Sequence, residues 1–492
     1  MEEPLTSVPP ADVDILSTPA AGQAAIRGAA LRIIGYAVGV GLSVIAAALL
    51  IRHLGPGDFG RYTAVISLVT IFAALAEAGM TNIGVREYSV LPRERRGPFV
   101  AELTGLRLLA TAAGVLIAVV FAVAAGYDGE MVAGSAIVGL GMLLLAFQAT
   151  WMVPLQSQLR LGWVTVLELV RQGMTLAAIA LLVFVTASLV PFFWVAPVAA
   201  LAALVVTVPL VRGLVPLLPS FRGKDRARLL ALTVPYAAAN AVGAVYIYLA
   251  VVVLSLTSTE QQTGYFGASF RVFIVLSAIP GLLVASAFPI LARAAHDDKS
   301  RLAYALQRLS ELLFVLGLGT ALCTAVGAEL AINVVAGSEF KPSVDVLQIQ
   351  SLALLASFLL AVWGFALLSL SLYRAILVAN AAALVISMTL TLALAPSYGA
   401  KGAAVATVFG EATLAVGYVT VLFRRRPDLR FSLEIVPRAV AALVPAAAVL
   451  LVPGLSQEVR LVAVAGIYAL AAWLLGVIPD EIGLALRPRR GE

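Results

Sequence analysis

The chain is short of the residues from which most soluble machinery is built. Of its 492 residues one is cysteine and two are histidine. Cys323 by itself closes no intramolecular disulfide, so no disulfide framework exists. His53 and His296 are 243 positions apart, and with one thiol they supply no metal cluster. Charged residues make up 12% of the chain, against roughly 25% in a soluble domain. That shortage excludes a soluble multidomain protein, which would need far more polar surface. Catalytic motifs are missing too: there is no glycine-rich phosphate loop with its lysine, no HExxH and no nucleophile elbow. The reading is a protein that is not an enzyme and needs neither cofactor nor metal.

What is present is apolar. Hydrophobic residues make up 61% of the chain, and they gather into runs near the roughly 20 residues that cross a bilayer. Fourteen spans are expected, near 31–51, 62–83, 102–125, 131–152, 163–186, 189–211, 230–256, 265–290, 304–328, 344–369, 374–395, 402–423, 436–453 and 460–478. They define an all-α polytopic membrane protein. Residues 1–26 are acidic and contain proline, without an apolar centre, and read as a disordered cytosolic tail. With both termini cytoplasmic, Lys and Arg number 23 in cytoplasmic segments against 5 in outer ones. That imbalance is what the positive-inside rule expects of a multi-pass protein of the cytoplasmic membrane. The basic stretches "PRERR", "RGKDRAR" and "RRRPDLR" suit anionic lipid headgroups. They are too short, and too poor in aromatic residues, to bind nucleic acid.

A shift of 204 residues superposes the two halves. Gly39 falls on Gly243, Gly60 on Gly264, Tyr62 on Phe266, Arg32 on Tyr236 and Tyr36 on Asn240. Internal repeats of this kind build transporters. The expected organisation is a six-helix lobe at 27–212, a linker at 213–229 and a second six-helix lobe at 230–423. A basic loop at 424–435, a two-helix hairpin at 436–478 and a tail at 479–492 complete it. The two lobes are expected to rock, with the outer turns near Asp58 and Gln262 meeting when the inner side is open.

Charges inside spans are costly and therefore informative. Arg32, Arg107 and Arg308 lie near the cytoplasmic ends of their spans, where snorkelling accounts for them. Arg171 and Arg308 have Glu168 and Glu311 three residues away, so each has a same-face partner. Arg271 has no acidic residue three or four positions off and lies about 9 Å into span 8. An unpaired guanidinium in a wet cavity suits a diphosphate, which it grips bidentately. Arg32 and Tyr36 on span 1, with Tyr236 and Asn240 on span 7, form a polar stripe whose expected role is to face a cavity and bind substrate. Glu77 is expected to pair with Arg32 or Arg271, or to serve as a coupling-ion site.

Four segments carry a family resemblance. "IRHLGPGDFGRYTAV" followed by "LAEAGMTNIGVREYS" resembles the amino-terminal signature of the bacterial polysaccharide-export, or O-antigen, flippases. These belong to the multidrug/oligosaccharidyl-lipid/polysaccharide exporter superfamily. "GYFGASFRVFIVLSAIPGLLVASAFPILARAAHD", "VVAGSEFKPSVDVLQIQSL" and "YGAKGAAVATVFGEA" are similar to that family's span 8, its loop before span 10 and the start of its span 12. The resemblance implies two lobes around a central cavity lined by spans 1, 2, 7 and 8, with the basic residue of span 8, here Arg271, facing it. It also implies a lipid-linked oligosaccharide flippase acting on an undecaprenyl-diphosphate-linked glycan. Its partners would be membrane lipids and other polysaccharide-assembly membrane proteins. Glu411 resembles a recurrent glutamate of span 12 and reads as structural. The alternative is a multidrug or cation antiporter of the same superfamily, which would call for a cluster of membrane carboxylates.

Overall fold

The computed structural model describes the backbone of residues 21–77, 79–186, 188–221, 226–297, 299–429 and 434–477. It describes their side chains apart from 21–33, 226–241 and 285–301. Arg32, Tyr236 and Asn240 thus lie in helices but outside the described side chains. Residues 1–20 and 479–492, most of the expected tails, lie outside the described residues.

Among the described residues there is no β-strand. The first half runs α1 (Ala21–Glu77), α2 (Met80–Val90), α3 (Arg93–Ala124), α4 (Gly129–Trp151), α5 (Val153–Ser157), α6 (Leu161–Val185), α7 (Val190–Phe193) and α8 (Val195–Val211). The second runs α9 (Arg226–Thr257), α10 (Glu260–Asp297), α11 (Lys299–Val335), α12 (Ser343–Ser369) and α13 (Tyr373–Arg425). The hairpin of α14 (Ile435–Ala448) and α15 (Gln457–Leu474) ends the chain's described part. Ten helical stretches of the described chain are long and apolar enough to cross a membrane, and two shorter apolar ones join them. Two of the ten, α1 and α13, each carry a pair of expected spans, so all fourteen fall on helix.

The segment "GPGDFGRYTAV" reads in sequence as a loop of about ten residues, but it is far tighter. Helical geometry fails only at Gly55 (φ 69°, ψ 178°), a conformation essentially restricted to glycine. Pro56 then takes the first helical position, where its fixed φ fits and its missing N–H costs nothing. Gly399 (φ 54°, ψ −131°) breaks α13 in the same way. Across the first break the chain reverses. His53, ending span 1, bonds the Thr186 carbonyl at the end of α6 at 2.7 Å. From there span 2 descends antiparallel to α3, with Phe72 against Phe121 (6.5 Å) and Glu77 paired with Arg107. We call the end carrying Gly55 and Gly399 the tight-turn end, and the end carrying Arg93–Arg96 and Arg424–Arg426 the basic end.

The core around the fully buried Phe192 and Phe193 of the first lobe continues into the second through Val252, Ala268 and Phe340, and the second lobe has a further core around Phe358 and Val362. The terminal hairpin docks on α11. The Tyr468 hydroxyl donates to the Val315 carbonyl at 2.8 Å, and Gly319 makes room for its ring. The expected linker is not free along its length. The Ser220 amide donates to the Ala101 carbonyl at 2.9 Å, and a Cβ on Gly105 of α3 would meet Ser220 oxygen at 2.2 Å. The linker near Ser220 therefore packs on α3.

Candidate functional site

Where the lobes meet, spans 1 and 2 of α1 face α9 and α10. Arg271 sits there, exposed, and donates to Ser43 Oγ at 2.7 Å across the lobe boundary. No carboxylate pairs with it among the described residues. Ser43 follows Tyr36 by seven residues, so both share one face of span 1. Tyr36 is 42% exposed on that face. Gly39 turns instead toward Leu169 and Gln172 of α6, whereas Gly243 lines a cavity in the second lobe. The two positions paired by the 204-residue shift thus have different surroundings.

At the tight-turn end the lobes are clasped. Gly60 and Gly264, the pair superposed by the 204-residue shift, allow backbone-to-backbone contact. A Cβ on Gly60 would lie 2.0 Å from the Glu260 carbonyl oxygen, and one on Gly264 would lie 1.9 Å from that of Pro56. Arg61 binds Asp58 (3.2 Å), Asp128 and Glu130 (2.8 Å) in its own lobe and Glu260 (3.6 Å) in the other. Burial works against its charge, but the hydrogen bonds to Asp128, Asp58 and Glu130 outweigh it and hold the guanidinium pKa above the usual value. Two straps cross over. Tyr127 of the 3–4 turn shares a 2.6 Å hydrogen bond with Ser255. Phe340 of the 9–10 turn is buried edge-on against Phe59 and Tyr265, each at 6.1 Å. Arg52 donates to the carbonyls of Asn333 (2.9 Å) and Val334 (2.6 Å), satisfying the C-terminal end of α11. Gln262 differs from expectation: its side chain accepts from the Ala400 amide at 2.9 Å, and the meeting point is at Gly60 and Gly264.

Two membrane carboxylates have opposite surroundings. Glu77 does not bond Arg271, one of the two partners expected for it; the other, Arg32, lies outside the described side chains. Glu77 pairs with Arg107 and accepts from the Thr81 hydroxyl (2.6 Å) and amide (3.2 Å), closing the start of α2 beyond the αL residue Gly79. Arg107 does not snorkel. It is wholly buried, with Thr81 and Thr150 as further partners at 2.6 and 3.0 Å. Its partner stands 30 residues back on another helix, so its placement near a span end concealed a buried ion pair. The same-face pairs Arg171–Glu168 and Arg308–Glu311 are formed. Glu411 is different. It accepts from the Tyr246 hydroxyl (3.0 Å) and the Ser357 hydroxyl (2.8 Å), and no cation pairs with it among the described residues. It lines a cavity of about 370 Å³ with Gly243, Tyr246, Phe270, Phe273 and Asn380. In the sequence Glu411 reads as structural, and the structure adds that it faces a cavity. The absence of any basic residue near it on α13 was the available signal.

A second, larger hollow of about 790 Å³ is an apolar groove formed by α10, α11 and the terminal α15, with Leu276, Cys323, Gly327, Leu461 and Tyr468 among its walls. Among the described residues no cluster of side chains could hold a metal ion.

The whole fold is similar to that of "Lipid II flippase MurJ, inward closed conformation" (TM-score 0.76, 13% identity), covering 92% of this chain and 99% of that one. It is also similar to the inward-facing conformation of a multidrug resistance MATE family transporter of the MOP superfamily (TM-score 0.63, 13% identity, 81% and 98% covered). The outward-facing conformation of such a transporter matches at TM-score 0.56, with 14% identity and 82% and 96% covered. Compared by sequence with curated proteins, the chain matches none. Residues 49–345, more than half of the chain, match the family described as "Polysaccharide biosynthesis protein". With more than half of its length matched, the chain belongs to that family.

Proposed function

We propose that the protein flips a polyprenyl-diphosphate-linked saccharide across the cytoplasmic membrane by alternating access, with its basic end in the cytoplasm. The observation that carries this reading is Arg271, a guanidinium within the membrane-spanning region, at the lobe boundary, whose bond from the described residues is to a neutral hydroxyl. Leaving such a charge without a counter-ion is costly unless a ligand or water meets it. A diphosphate meets it with bidentate geometry. Tyr36 and Ser43 add polar contacts on the facing helix, and the expected contributions of Arg32, Tyr236 and Asn240 complete the stripe. The apolar groove beside α10 gives the lipid tail a path that never leaves hydrocarbon. The 23-to-5 distribution of Lys and Arg supports the orientation.

Arg271→Ala should abolish surface-glycan export while the protein stays at normal membrane level, and Arg271→Lys should restore it only in part. Undiminished export by the alanine variant contradicts the reading. Cysteines at Leu218 and Thr259, in a Cys323→Ala background, test the orientation. In intact cells an impermeant maleimide should label the second and spare the first.

A cation antiporter is the second reading, favoured by one observation, the uncompensated Glu411 in its cavity. Glu77, the carboxylate first considered for ion coupling, is less suited because Arg107 already neutralises it.

A further inference from the structure

The cavity around Glu411 is not accounted for by a diphosphate grip or a lipid path. A carboxylate would repel a diphosphate, and a polyprenyl chain would offer no partner to Glu411, Asn380 and the hydroxyls of Ser357 and Thr407 on the walls. Its lining has a definite character. Phe270 and Phe273 lie on one side of α10, their rings 6.1 Å apart and nearly parallel (19°). Tyr246 projects from α9, and Glu411 and Asn380 come from α13. Two hydroxyls occupy part of the carboxylate's accepting capacity. A carboxylate has about four lone-pair sites, so further donors are still called for. Glu411 is half-buried and faces the cavity, so those donors come from whatever enters it, because an unsatisfied carboxylate is costly.

A neutral sugar ring matches this lining. One face of the ring carries C–H groups that lie against aromatic side chains, and its rim carries hydroxyls that donate to a carboxylate and bond an amide. The volume of about 370 Å³ is at the small end of ligand sites, which run from about 300 to 1,000 Å³. Position agrees as well. Phe270 adjoins Arg271 in sequence, and Ser277, also on the cavity wall, lies six residues further along α10, or about 9 Å.

We infer that this second-lobe cavity is a saccharide subsite, holding the sugar nearest the diphosphate while Arg271 holds the diphosphate itself. The inference rests on the flippase reading. Glu411 and Asn380 read the hydroxyl pattern, the phenylalanines hold the ring face, and the negative charge keeps the diphosphate at Arg271. Selection among lipid-linked glycans then depends on the second lobe, since a site built to bond hydroxyls discriminates strongly against ligands lacking them.

The test measures binding of four lipids to the purified full-length protein: undecaprenyl diphosphate and its glucosyl, galactosyl and N-acetylglucosaminyl forms. At least one sugar-bearing lipid should bind about tenfold or more tightly than the sugarless one. Glu411→Gln and Phe273→Leu should each erase that gain and leave binding of undecaprenyl diphosphate unchanged. Arg271→Ala should weaken all four. If no sugar improves binding, or if the cavity variants weaken sugarless and sugar-bearing lipids alike, the subsite is refuted and the flippase reading stands. If none of the four binds, the flippase reading itself fails. If Glu411→Gln instead removes only binding of tetraphenylphosphonium, the cavity is a cation site and the inference is wrong.

Discussion

The two lobes share a chain path but treat a membrane carboxylate in opposite ways. In the first, Glu77 meets a fully buried guanidinium and Thr81, the guanidinium in turn bonds Thr81 and Thr150, and that polar group locks α1, α2, α3 and α4 together. In the second, Glu411 meets hydroxyls, with no cation among the described residues, and opens on a cavity. One lobe is braced by a buried ion pair, and the other keeps a cavity lined by polar groups. The clasp repeats the lesson. Both straps reach across to the opposite lobe, one through a hydroxyl pair and an arginine among carboxylates, the other through a buried phenyl ring.

The largest effect should come from fixing the lobes where they touch. A Cβ on Gly267 would lie 3.1 Å from both Thr63 Cγ2 and Thr63 Oγ1, so side chains at the two positions point at one another across the lobe boundary at the close range a disulfide needs. Thr63→Cys with Gly267→Cys, in the Cys323→Ala background, should crosslink on oxidation and stop transport, with reduction restoring it. Full crosslinking with unchanged transport would remove the tight-turn end from the gating motion.

The next effect separates the two carboxylates. Glu77→Gln leaves the Arg107 charge buried without its counter-ion. It should destabilise the protein by about 3 kcal/mol, the low end of the about 3–5 kcal/mol for a broken buried pair, because the Glu77 side chain is 40% exposed. Glu411→Gln removes a charge that has no opposite partner and should shift stability by less than about 1 kcal/mol. Thermal unfolding in one detergent compares them. Equal losses would show that the lobes do not differ in this respect.

The fourteen spans were legible in the sequence because each needs only a long apolar run, and the lobe repeat because Gly60 and Gly264 must both be glycine for the clasp to close. The turn at Gly55 was not legible as a one-residue break, since three glycines and a proline within "GPGDFG" signal irregular backbone without saying how little is used. The partner of Arg107 was hidden because residues 77 and 107 approach only once α1 has turned and α3 has run back beside it. Glu411 could be seen as an intramembrane charge, but its cavity is made by four helices and has no local signature.

The smallest effect concerns the charged strap. Glu260→Gln removes an exposed, 3.6 Å contact to an arginine that keeps three other carboxylates. Such pairs contribute about 0–1 kcal/mol, so transport should change by less than about fivefold. A complete block would mean that the electrostatic strap, and not the glycine contact, closes this end.

The most direct test of the central claim is lipid flipping in proteoliposomes. The purified protein is reconstituted with fluorescent undecaprenyl-diphosphate-N-acetylglucosamine, and access of an added impermeant glycosyltransferase to the sugar is followed with time. The account predicts that wild-type protein makes the inner-leaflet pool accessible and that Arg271→Ala leaves it as inaccessible as in protein-free liposomes. Wild-type liposomes that behave like protein-free ones, or an Arg271→Ala variant that flips at the wild-type rate, would contradict it.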